Sequence, residues 1–557
     1  AMSKPSDKTD FSSVLHYHER TKHHPRRYAA SLGFMDWDTQ PHPFRIYEGS
    51  EKIELLLRQD HGDLSYQSML NREGIKTAPF DLPSISKLLE LSLALSAWKS
   101  VPGSKWALRI NPSSGNLHPT ESHFLFPPGV LDSKDALLTH YNPHGHVMDV
   151  RSRIIPEGLP PGFCKPEQGF FLALTSIYWR ESWKYGERAF RYCNHDLGHA
   201  LACLSFSAAL LGWRAHMVLS PSTSQITELF RLSEVAWIEE EKEELETLIH
   251  IIPDQSDCPI TSIDTELVRA LKDAHLEGSV NKLSSDHHPW AAIENVSQAT
   301  EKPQRPINLQ ERSSLPFSFS FPAVSAAKTI SKRRSAVDFD GKTSISKDQF
   351  FSMLESTLPR KDKPPFDLNA DRVRVHLLIF VHRVEGLKMG MYFLARNPED
   401  LEEIKLLSHQ ELLWEKVPDS PASLPLYKLL EADLRMEATL ISCQQDIAGM
   451  SAFSLGMIAR FREELRDQPW VYRRLYWETG IIGQVLYLEA ESHGIQATGI
   501  GCFFDDLAHR ALGLGDDQYQ SLYHFTVGGA VQDSRISTLA PYHHLDESRT
   551  KTQGVRE

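Results

Sequence analysis

The sequence predicts an α+β protein in which one module occurs twice and the two copies pack as an intramolecular pseudo-dimer. Tyr192–Arg214 aligns without a gap with Arg474–Gln496, with residue numbers that differ by 282. A second match, Ser84–Lys87 with Ser344–Lys347, lies upstream in both copies. Segments with strand and helix patterns alternate within each copy. Two copies of one unit in a single chain are typical of a fused dimer.

Apolar runs predict the order of the elements in each copy. For copy one they indicate a helix around Lys87–Trp98, strands at Phe124–Phe126 and Phe170–Ile177, a long helix near Asp196–Leu211 and a charged helix at Glu239–Leu248. Copy two repeats helix, strand and helix. Its strand lies at Val375–Val381, and its last segment is Phe525–Gly529.

Turn-forming residues divide the chain into five parts. An N-terminal arm and lead-in cover 1–79, where residues 11–50, rich in His, Pro and aromatics, are expected to be irregular. Copy one covers 80–277 and copy two covers 319–545. A linker with several prolines joins them at 278–318, and a tail follows at 546–557.

Composition limits the class of protein. A chain of 557 residues that is 41% hydrophobic can bury two cores, and its net charge of −13 gives no global basic surface for nucleic acid. No apolar run approaches the roughly 20 residues that span a bilayer, and no signal segment opens the chain. The six cysteines lack C-x-x-C spacing. We therefore expect a cytoplasmic protein with reduced thiols and with neither nucleic acid nor membrane as a partner.

The two copies differ where a ligand would bind. After its long helix, copy two runs Ala497–Gly501 with glycines at 499 and 501, whereas the same register in copy one, Ala215–Leu219, has none. Copy two also carries Lys332–Ser335, with two arginines, where copy one has Arg72, Glu73, Gly74 and Ile75. Conversely, the loop Arg109–Asn116 occurs only in copy one, and copy two has Pro359–Pro365 in that region. Each copy therefore keeps half of a site.

The half in copy two suits an anion and a flat ligand. Arg333 and Arg334 offer forked guanidinium donors and Ser335 offers a hydroxyl, a combination that suits a terminal phosphate. Gly499 and Gly501 let the backbone approach a planar group without a Cβ clash. Alone, an Arg-Arg-Ser sequence is usually a solvated surface.

The half in copy one suits the edge of a heteroaromatic ring. Its loop contains a proline turn, two hydroxyls and a carboxamide, contributed by Pro112, Ser113, Ser114 and Asn116. Such a loop is usually only a turn. Because the two copies have lost complementary parts, we interpret the halves as one site. A phosphate at one end and a planar ring with mixed donors and acceptors describe flavin mononucleotide (FMN).

At these residues the chain resembles the nitroreductase superfamily of FMN flavoproteins, and within it the SagB-type, thiazoline oxidase-like dehydrogenases. The resemblance covers roughly residues 80–260 and 320–545. Members are generally homodimers with FMN at the interface, held by an Arg-x-Ser-type helix start and a glycine loop of one subunit and a Pro-Ser loop of the other. It implies one FMN per chain, with Arg333, Arg334, Ser335, Gly499, Gly501 and Arg535 on the copy-two side and Pro112, Ser113, Ser114 and Asn116 facing them.

Copy one also contains Lys184 and Tyr185, which look like the Lys-Tyr segment of the SagB-type enzymes, whereas copy two has Arg466 and Asp467 at those positions. A desolvated ammonium with a phenol beside it can act as acid or base when hydride leaves an adjacent carbon. These two residues are the predicted catalytic pair. The alternative is a surface pair packed on Trp183.

No metal is expected. His195 and His199 lie four residues apart on the predicted long helix, as metal ligands could, but the motif reads H-D-L-G-H and no third ligand is evident. We interpret both as buried or partner-facing imidazoles. The histidines of the arm, at 16, 18, 23 and 24, are expected to pack and hydrogen-bond.

Three functions remain open at the level of sequence. The first is an FMN-dependent oxidoreductase that dehydrogenates a heterocycle or a C–N or C–C bond by hydride transfer to flavin N5, with oxygen or another acceptor reoxidising the flavin. The second is an NAD(P)H-dependent nitro or quinone reductase. The third is a partner-binding scaffold of a biosynthetic complex with little flavin chemistry. The expected substrate is a small molecule or a peptide-borne group, and further homo-oligomerisation stays open.

Overall fold

The computed structural model describes residues 5–57, 60–256, 260–545 and 549. The predicted tail, 546–557, lies outside the described residues except for Arg549. We call the elements up to α8 the first half of the chain and those from α9 onward the second half.

The first half contains eight α-helices and eleven strands in the residues that the structure describes. The helices are α1 (Pro5–Arg20), α2 (Tyr66–Asn71), α3 (Leu82–Glu90), α4 (Tyr178–Tyr185), α5 (Ala189–Leu210), α6 (Thr223–Leu229), α7 (Thr265–Lys272) and α8 (Ala291–Ala299) among the described residues. The strands described there are β1 (Tyr47–Glu48), β2 (Lys52–Glu54), β3 (Leu95–Val101), β4 (Ser104–Arg109), β5 (Thr120–Phe126), β6 (Ala136–Asn142), β7 (Val147–Ile154), β8 (Phe170–Ser176), β9 (Trp213–Met217), β10 (Glu244–Pro253) and β11 (Ser279–Val280).

The second half repeats this plan. Its described helices are α9 (Ala326–Lys332), α10 (Lys347–Glu355), α11 (Leu401–Leu407), α12 (Arg435–Ile441), α13 (Ile447–Met450), α14 (Arg462–Arg466), α15 (Val471–Ser492) and α16 (Asp505–Leu512). Its strands are β12 (Ile345–Ser346), β13 (Val375–Val381), β14 (Val384–Glu385), β15 (Gly390–Leu394), β16 (Glu415–Lys416), β17 (Leu426–Glu431), β18 (Phe453–Arg460), β19 (Gln496–Ile500), β20 (Tyr519–Gly528) and β21 (Ser537–Leu539).

Each half is built on a seven-stranded antiparallel sheet. The strand order is β2-β7-β6-β5-β8-β10-β9 in the first half and β16-β17-β15-β13-β18-β20-β19 in the second. The central strand β5 therefore corresponds to β13, and the edge strand β9 corresponds to β19. This agreement confirms the predicted α+β fold with the module present twice.

The two long helices, α5 and α15, pack against each other at the centre of the molecule. A Cβ built on Gly198 of α5 would lie 2.8 Å from the Cα of Gly480 on α15, and a Cβ on Gly480 would lie 2.8 Å from the Cα of Gly198. These two glycines are 282 residues apart and were paired by the sequence alignment. The helices thus cross backbone to backbone at equivalent positions, which lets the two halves approach closely. All residues of α5 are buried, in keeping with its apolar composition.

Two predicted helices have different bounds or a different structure. The helix expected around Lys87–Trp98 is α3, which ends at Glu90, and β3 begins at Leu95. The charged helix expected at Glu239–Leu248 is wrong, because a short 3-10 turn is followed by β10. The charges misled because they are buried in ion pairs: Glu243 contacts Arg45, and Glu246 contacts Arg473.

Two segments expected to be irregular contain helices. The arm begins with α1, whose Val14 and Tyr17 pack in the hydrophobic core formed by β13, β18, β20 and α15. The prediction that residues 11–50 are irregular is therefore wrong up to Arg20. The expected linker contains α8, whose Ile293 and Val296 join the same core. In both segments a short helix buries a few apolar residues, but the neighbouring polar residues and prolines hid that pattern in the sequence.

The upstream sequence match does not mark equivalent positions. Ser84–Lys87 lies inside α3, whose N-cap is Asp81, whereas Ser346 of the second match is itself the N-cap of α10. Asp81 and Ser346 each accept a hydrogen bond from the backbone three residues later. If the N-caps of α3 and α10 are taken as equivalent, the two helices align with a shift of five residues relative to the sequence match. Among the described helices, none has both the length and the apolar character needed to cross a bilayer.

Candidate functional site

Arg333 is a buried cation that reaches from the second half into the first. It follows α9 as the C-cap residue, and it is 4% exposed. Its Nη2 donates to the carbonyl of Ile110 at 3.2 Å, and its guanidinium lies 4.8 Å from the centre of the Tyr487 ring. Its Nε and Nη1 are buried and have no hydrogen-bond partner among the described residues. A buried guanidinium with two free donors is suited to an anion.

Arg334 and Ser335 extend the same turn. Nη1 of Arg334 donates to the carbonyls of Ser331 and Arg333, each at 2.8 Å, so part of its fork is used by the end of α9. The hydroxyls of Ser335 and Tyr487 lie 2.8 Å apart. The basic residues therefore end a helix instead of starting one, in contrast to the helix start expected from the resemblance. A helix C-terminus carries partial negative charge, which stabilises arginines there.

The two glycines make room for tyrosines. A Cβ on Gly499 would lie 2.0 Å from the hydroxyl of Tyr523, and one on Gly501 would lie 2.7 Å from the Tyr192 ring. The Gly499 amide also donates to the Tyr487 hydroxyl at 3.2 Å. Since Tyr192 lies on α5 and the others lie in the second half, this wall of aromatic rings is built by both halves.

The Pro-Ser loop lies beside this wall and is held by a carboxylate of α5. The Ser113 hydroxyl donates to Asp196 at 2.7 Å, and the Ser114 amide donates to the same side chain at 3.1 Å. Pro112, before them, is half-buried. Asn116 uses its amide on the carbonyl of Ala107 at 2.8 Å.

A second carboxyl group, Glu181 of α4, completes a pair with Asp196. Glu181 lies 3.2 Å from the Ser113 hydroxyl, and both carboxyl groups are buried. Burial raises the pKa of Asp196 to about 7. Burial, together with the neighbouring Asp196, raises the pKa of Glu181 well above its usual range. The pair can therefore hold and release a proton near neutral pH. The sequence reasoning missed both residues, although acidic residues inside apolar helical runs were a usable signal.

The structure brings Tyr185 against the Pro-Ser loop at Gly115 and leaves Lys184 half-buried beside it. The Tyr185 hydroxyl lies 2.6 Å from where a Cβ on Gly115 would be, and its ring packs on Tyr192 at 4.7 Å between centres. Burial raises the pKa of Tyr185 well above its usual value, so the phenol is a neutral hydrogen-bond donor. The Lys184 ammonium lies 5.3 Å from the centre of the Tyr185 ring.

Arg333, the tyrosines around Gly499, the Pro-Ser loop and the acidic pair form one cluster, and Arg535 does not lie in it. Its side chain is 86% exposed and pairs with Asp533 at 2.8 Å on the surface. We therefore leave Arg535 out of the candidate site and use it below as a control residue.

The histidines that could suggest a metal have separate partners. His195 donates to the carbonyl of Leu522 at 2.7 Å, and His199 contacts Gln484 at 2.9 Å. Glu19 and His24 of the arm come within metal-binding distance of Asp506 on α16. The ammonium of Lys22 already pairs with both carboxylates there, at 2.9 and 3.0 Å, so this group has its own cation.

The equivalent position in the first half has a different chemistry. Arg72 caps α2 as Arg333 caps α9, so an arginine is retained there, contrary to the sequence interpretation. Arg72, however, pairs with Asp367 at 2.6 Å. Met217 stands at the position of Gly499, and its sulfur lies 3.3 Å from the amide nitrogen of Asn369. In the first half, therefore, the arginine that corresponds to Arg333 is neutralised by Asp367, and the space beside the position of Gly499 is filled by the Met217 side chain.

Two matched antiparallel sheets are joined across a pair of long helices, with a polar cluster between the halves. This fold is the one seen in nitroreductase-like structures. The protein matches a candidate nitroreductase from Anabaena variabilis with a TM-score of 0.66 and 21% identity, over 93% of this chain and 99% of that chain. Shorter matches include an FMN-dependent nitroreductase from Clostridium difficile, with 10% identity over 41% of this chain and 95% of that chain and a TM-score of 0.21.

A further short match is an Escherichia coli microcin synthetase complex with a truncated pro-microcin bound, with 15% identity over 40% of this chain and 79% of that chain and a TM-score of 0.26. No protein-family model and no curated protein matches the chain.

Proposed function

We propose that the protein is an FMN-dependent oxidoreductase that dehydrogenates a heterocycle or a C–N or C–C bond and binds one FMN per chain. The observation that carries this proposal is Arg333, a buried guanidinium whose Nε and Nη1 have no partner in the described part of the chain and which lies at the edge of a cluster built by both halves. The nitroreductase fold supports it.

The residues present fit such a cofactor. Arg333 would hold the phosphate, with Arg334 and Ser335 beside it, because charge-assisted hydrogen bonds restore partners to its buried donors. Tyr192, Tyr487 and Tyr523 surround Gly499 and Gly501 with buried aromatic rings, against which a planar ring would pack. The loop of Pro112, Ser113, Ser114 and Asn116 offers polar edges. Bound FMN supplies a two-electron acceptor at this place.

The acidic pair supplies the proton chemistry. When hydride leaves the substrate carbon, a proton must leave the adjacent atom, and Asp196 with a pKa of about 7 can accept it near neutral pH. The carboxyl group of Glu181, whose pKa is raised well above its usual range by burial and by Asp196, and the neutral phenol of Tyr185 would orient the substrate by hydrogen bonds. We retain Lys184 as a cation beside the substrate. This assignment moves the base from Lys184 and Tyr185 to Asp196.

The arm suggests an apolar substrate. Its backbone crosses the end of α4, where the carbonyl of Ala30 accepts from the Glu187 amide at 3.0 Å. Around this crossing it exposes a row of large apolar side chains, namely Tyr28, Leu32, Phe34, Met35 and Trp37. Phe34 and Trp37 are 66% and 62% exposed. Such a row beside the cluster suits a hydrophobic small molecule or a peptide-borne group delivered by a biosynthetic partner.

The test is the kinetics of flavin reduction in purified protein. The wild type should be yellow, and Asp196→Asn should keep the colour but reduce substrate-driven flavin reduction by roughly 10²–10⁴-fold, the range for a positioned base. Asp533→Asn, at an exposed carboxylate, is the matched control. Chemical reduction by dithionite should be equal in all three proteins, because it needs no base from the protein.

Two outcomes would favour the other functions. Full activity of Asp196→Asn and Tyr185→Phe, together with rapid reduction by NAD(P)H, would favour a nitro or quinone reductase. Colourless protein that binds no added FMN would favour a partner-binding scaffold.

A further inference from the structure

A second cavity lies at the position equivalent to the candidate site, and we call it the mirror pocket. It measures about 60 Å³, and its lining includes Met217, Trp477 and Glu478. These residues stand 282 positions from Gly499, His195 and Asp196 respectively, so the pocket uses the same elements with the two halves exchanged.

The mirror pocket carries an excess of positive charge. Its lining contains five arginines and two carboxylates, namely Arg312, Arg372, Arg374, Arg396 and Arg474 with Asp371 and Glu478. Most of these arginines are paired: Arg374 and Arg474 both contact Asp371, and Arg372 contacts Asp400. The Nε of Arg372 has no hydrogen bond but lies 3.5 Å from Glu464, so two lining arginines keep donors without either kind of partner in the described chain.

Arg396 and Arg312 are the arginines with free donors. The Arg396 side chain is fully buried and donates to Glu478 at 2.6 Å, but its Nη2 has no partner among the described residues. Arg312 donates Nη2 to the carbonyl of Asp371 at 2.5 Å, while its Nε and Nη1 are buried without a partner in the described chain. Unpaired buried guanidinium groups are costly, and an anion would supply the missing acceptors.

The size of the pocket selects a small group. A volume of about 60 Å³ holds on the order of four water-sized groups, which matches a carboxylate or a phosphate and excludes a flavin ring. The end that would take a flavin phosphate is closed by the ion pair of Arg72 and Asp367. A neighbouring cleft of about 230 Å³ shares Arg312 and Arg396 with the pocket.

We propose that the mirror pocket binds the carboxylate or phosphate group of a small anion, with Arg312 and Arg396 as the donors. The rest of the ligand lies in the neighbouring cleft. The second site of the repeat is then an anion site and not a second cofactor site. This holds whether or not the first site binds FMN.

The test is calorimetric titration of the full chain with inorganic phosphate and, separately, with acetate. Arg333→Gln is the background for every titration, because it removes the buried arginine that we propose to hold the phosphate of FMN. One equivalent of phosphate or acetate should bind per chain, and the tighter of the two identifies the preferred group. Adding Arg312→Gln should weaken that binding at least about tenfold. Adding Arg383→Gln, a half-buried arginine that donates to the carbonyls of Gly449 and Ser451, should leave it unchanged.

Arg312 has no ion-pair partner among the described residues, so its replacement should leave the fold intact, which circular dichroism checks. The proposal is overturned if neither anion binds saturably. It is also overturned if Arg312→Gln and Arg383→Gln bind equally well, because the anion would then lie elsewhere.

Discussion

At the scale of single residues, burial changes what a side chain can do. Arg333 and Arg535 are both arginines of the second half, but one is 4% exposed with free donors and the other is 86% exposed and paired. Burial raises the pKa of Asp196 to about 7, and it raises the pKa of Tyr185 well above its usual value, so that the phenol stays protonated. None of these differences can be read from the residue type.

Arg333→Gln should weaken FMN binding by one to two decades, because one charge-assisted hydrogen bond to phosphate contributes roughly 1.5–3 kcal/mol. Arg535→Gln should bind FMN like the wild type. Fluorescence titration of apoprotein with FMN measures both. Equal affinities in the two variants would place the phosphate away from Arg333.

The pKa of Asp196 also predicts a pH dependence of stability. Its value in the folded protein, about 7, is above the usual 3.8, so the folded state binds more protons than the unfolded state between these values. The contribution of this group to stability is complete below about pH 4 and is lost as the pH rises to about 7. Asp196→Asn removes that loss. The unfolding free energy of the variant, minus that of the wild type, should therefore increase from pH 4 to pH 7 in urea denaturation. A difference independent of pH would show that Asp196 ionises normally.

At the scale of elements, runs of apolar residues predicted those helices and strands that are stabilised mainly by burial of apolar side chains. The strand at Val375–Val381 and the part of α5 from Asp196 onward were predicted from sequence because all of their residues are buried and most are apolar or small, whereas the first part of α5, with Arg191, was not predicted as helix. Strand β10 was missed because Glu243 and Glu246 flank and enter it, and only tertiary ion pairs with Arg45 and Arg473 make them compatible with burial. Local pattern carries no information about such distant partners.

The crossing of α5 and α15 gives the prediction at this scale. Gly198→Ala should destabilise the protein by about 1–3 kcal/mol, the usual cost of overpacking, because the new Cβ would lie 2.3 Å from the carbonyl oxygen of Trp477. Gly515→Ala is the control, since a Cβ there meets no atom within 4 Å. Chemical denaturation compares the two variants. A wild-type midpoint for Gly198→Ala would show that the helices can separate freely.

At the scale of the whole molecule, the two halves share a fold and differ in their sites. The sequence revealed the asymmetry through Gly499 and Met217, because the loss of a glycine is visible in an alignment. It did not reveal the pair of Arg72 and Asp367, since those residues are 295 positions apart and come from different halves. The acidic pair of Glu181 and Asp196 was likewise hidden, because only the fold brings α4, α5 and the Pro-Ser loop together.

One FMN should bind per chain. Arg72 is neutralised by Asp367, and Met217 fills the place of Gly499, so the end of the mirror pocket that would take a flavin phosphate is closed, and the remaining cavity of about 60 Å³ is too small for a flavin ring. Flavin released by denaturation and quantified against protein concentration measures the ratio. A ratio near two would contradict the asymmetry described for the two halves.

Because both halves are joined in one chain, the two sites can evolve independently. In a homodimer every substitution appears twice, so a change that improves one site alters the other equally. Here Gly499 and Met217 are encoded separately, although they stand at equivalent places on β19 and β9. One site can therefore diverge while the other is preserved, and each half is open to selection for a separate task.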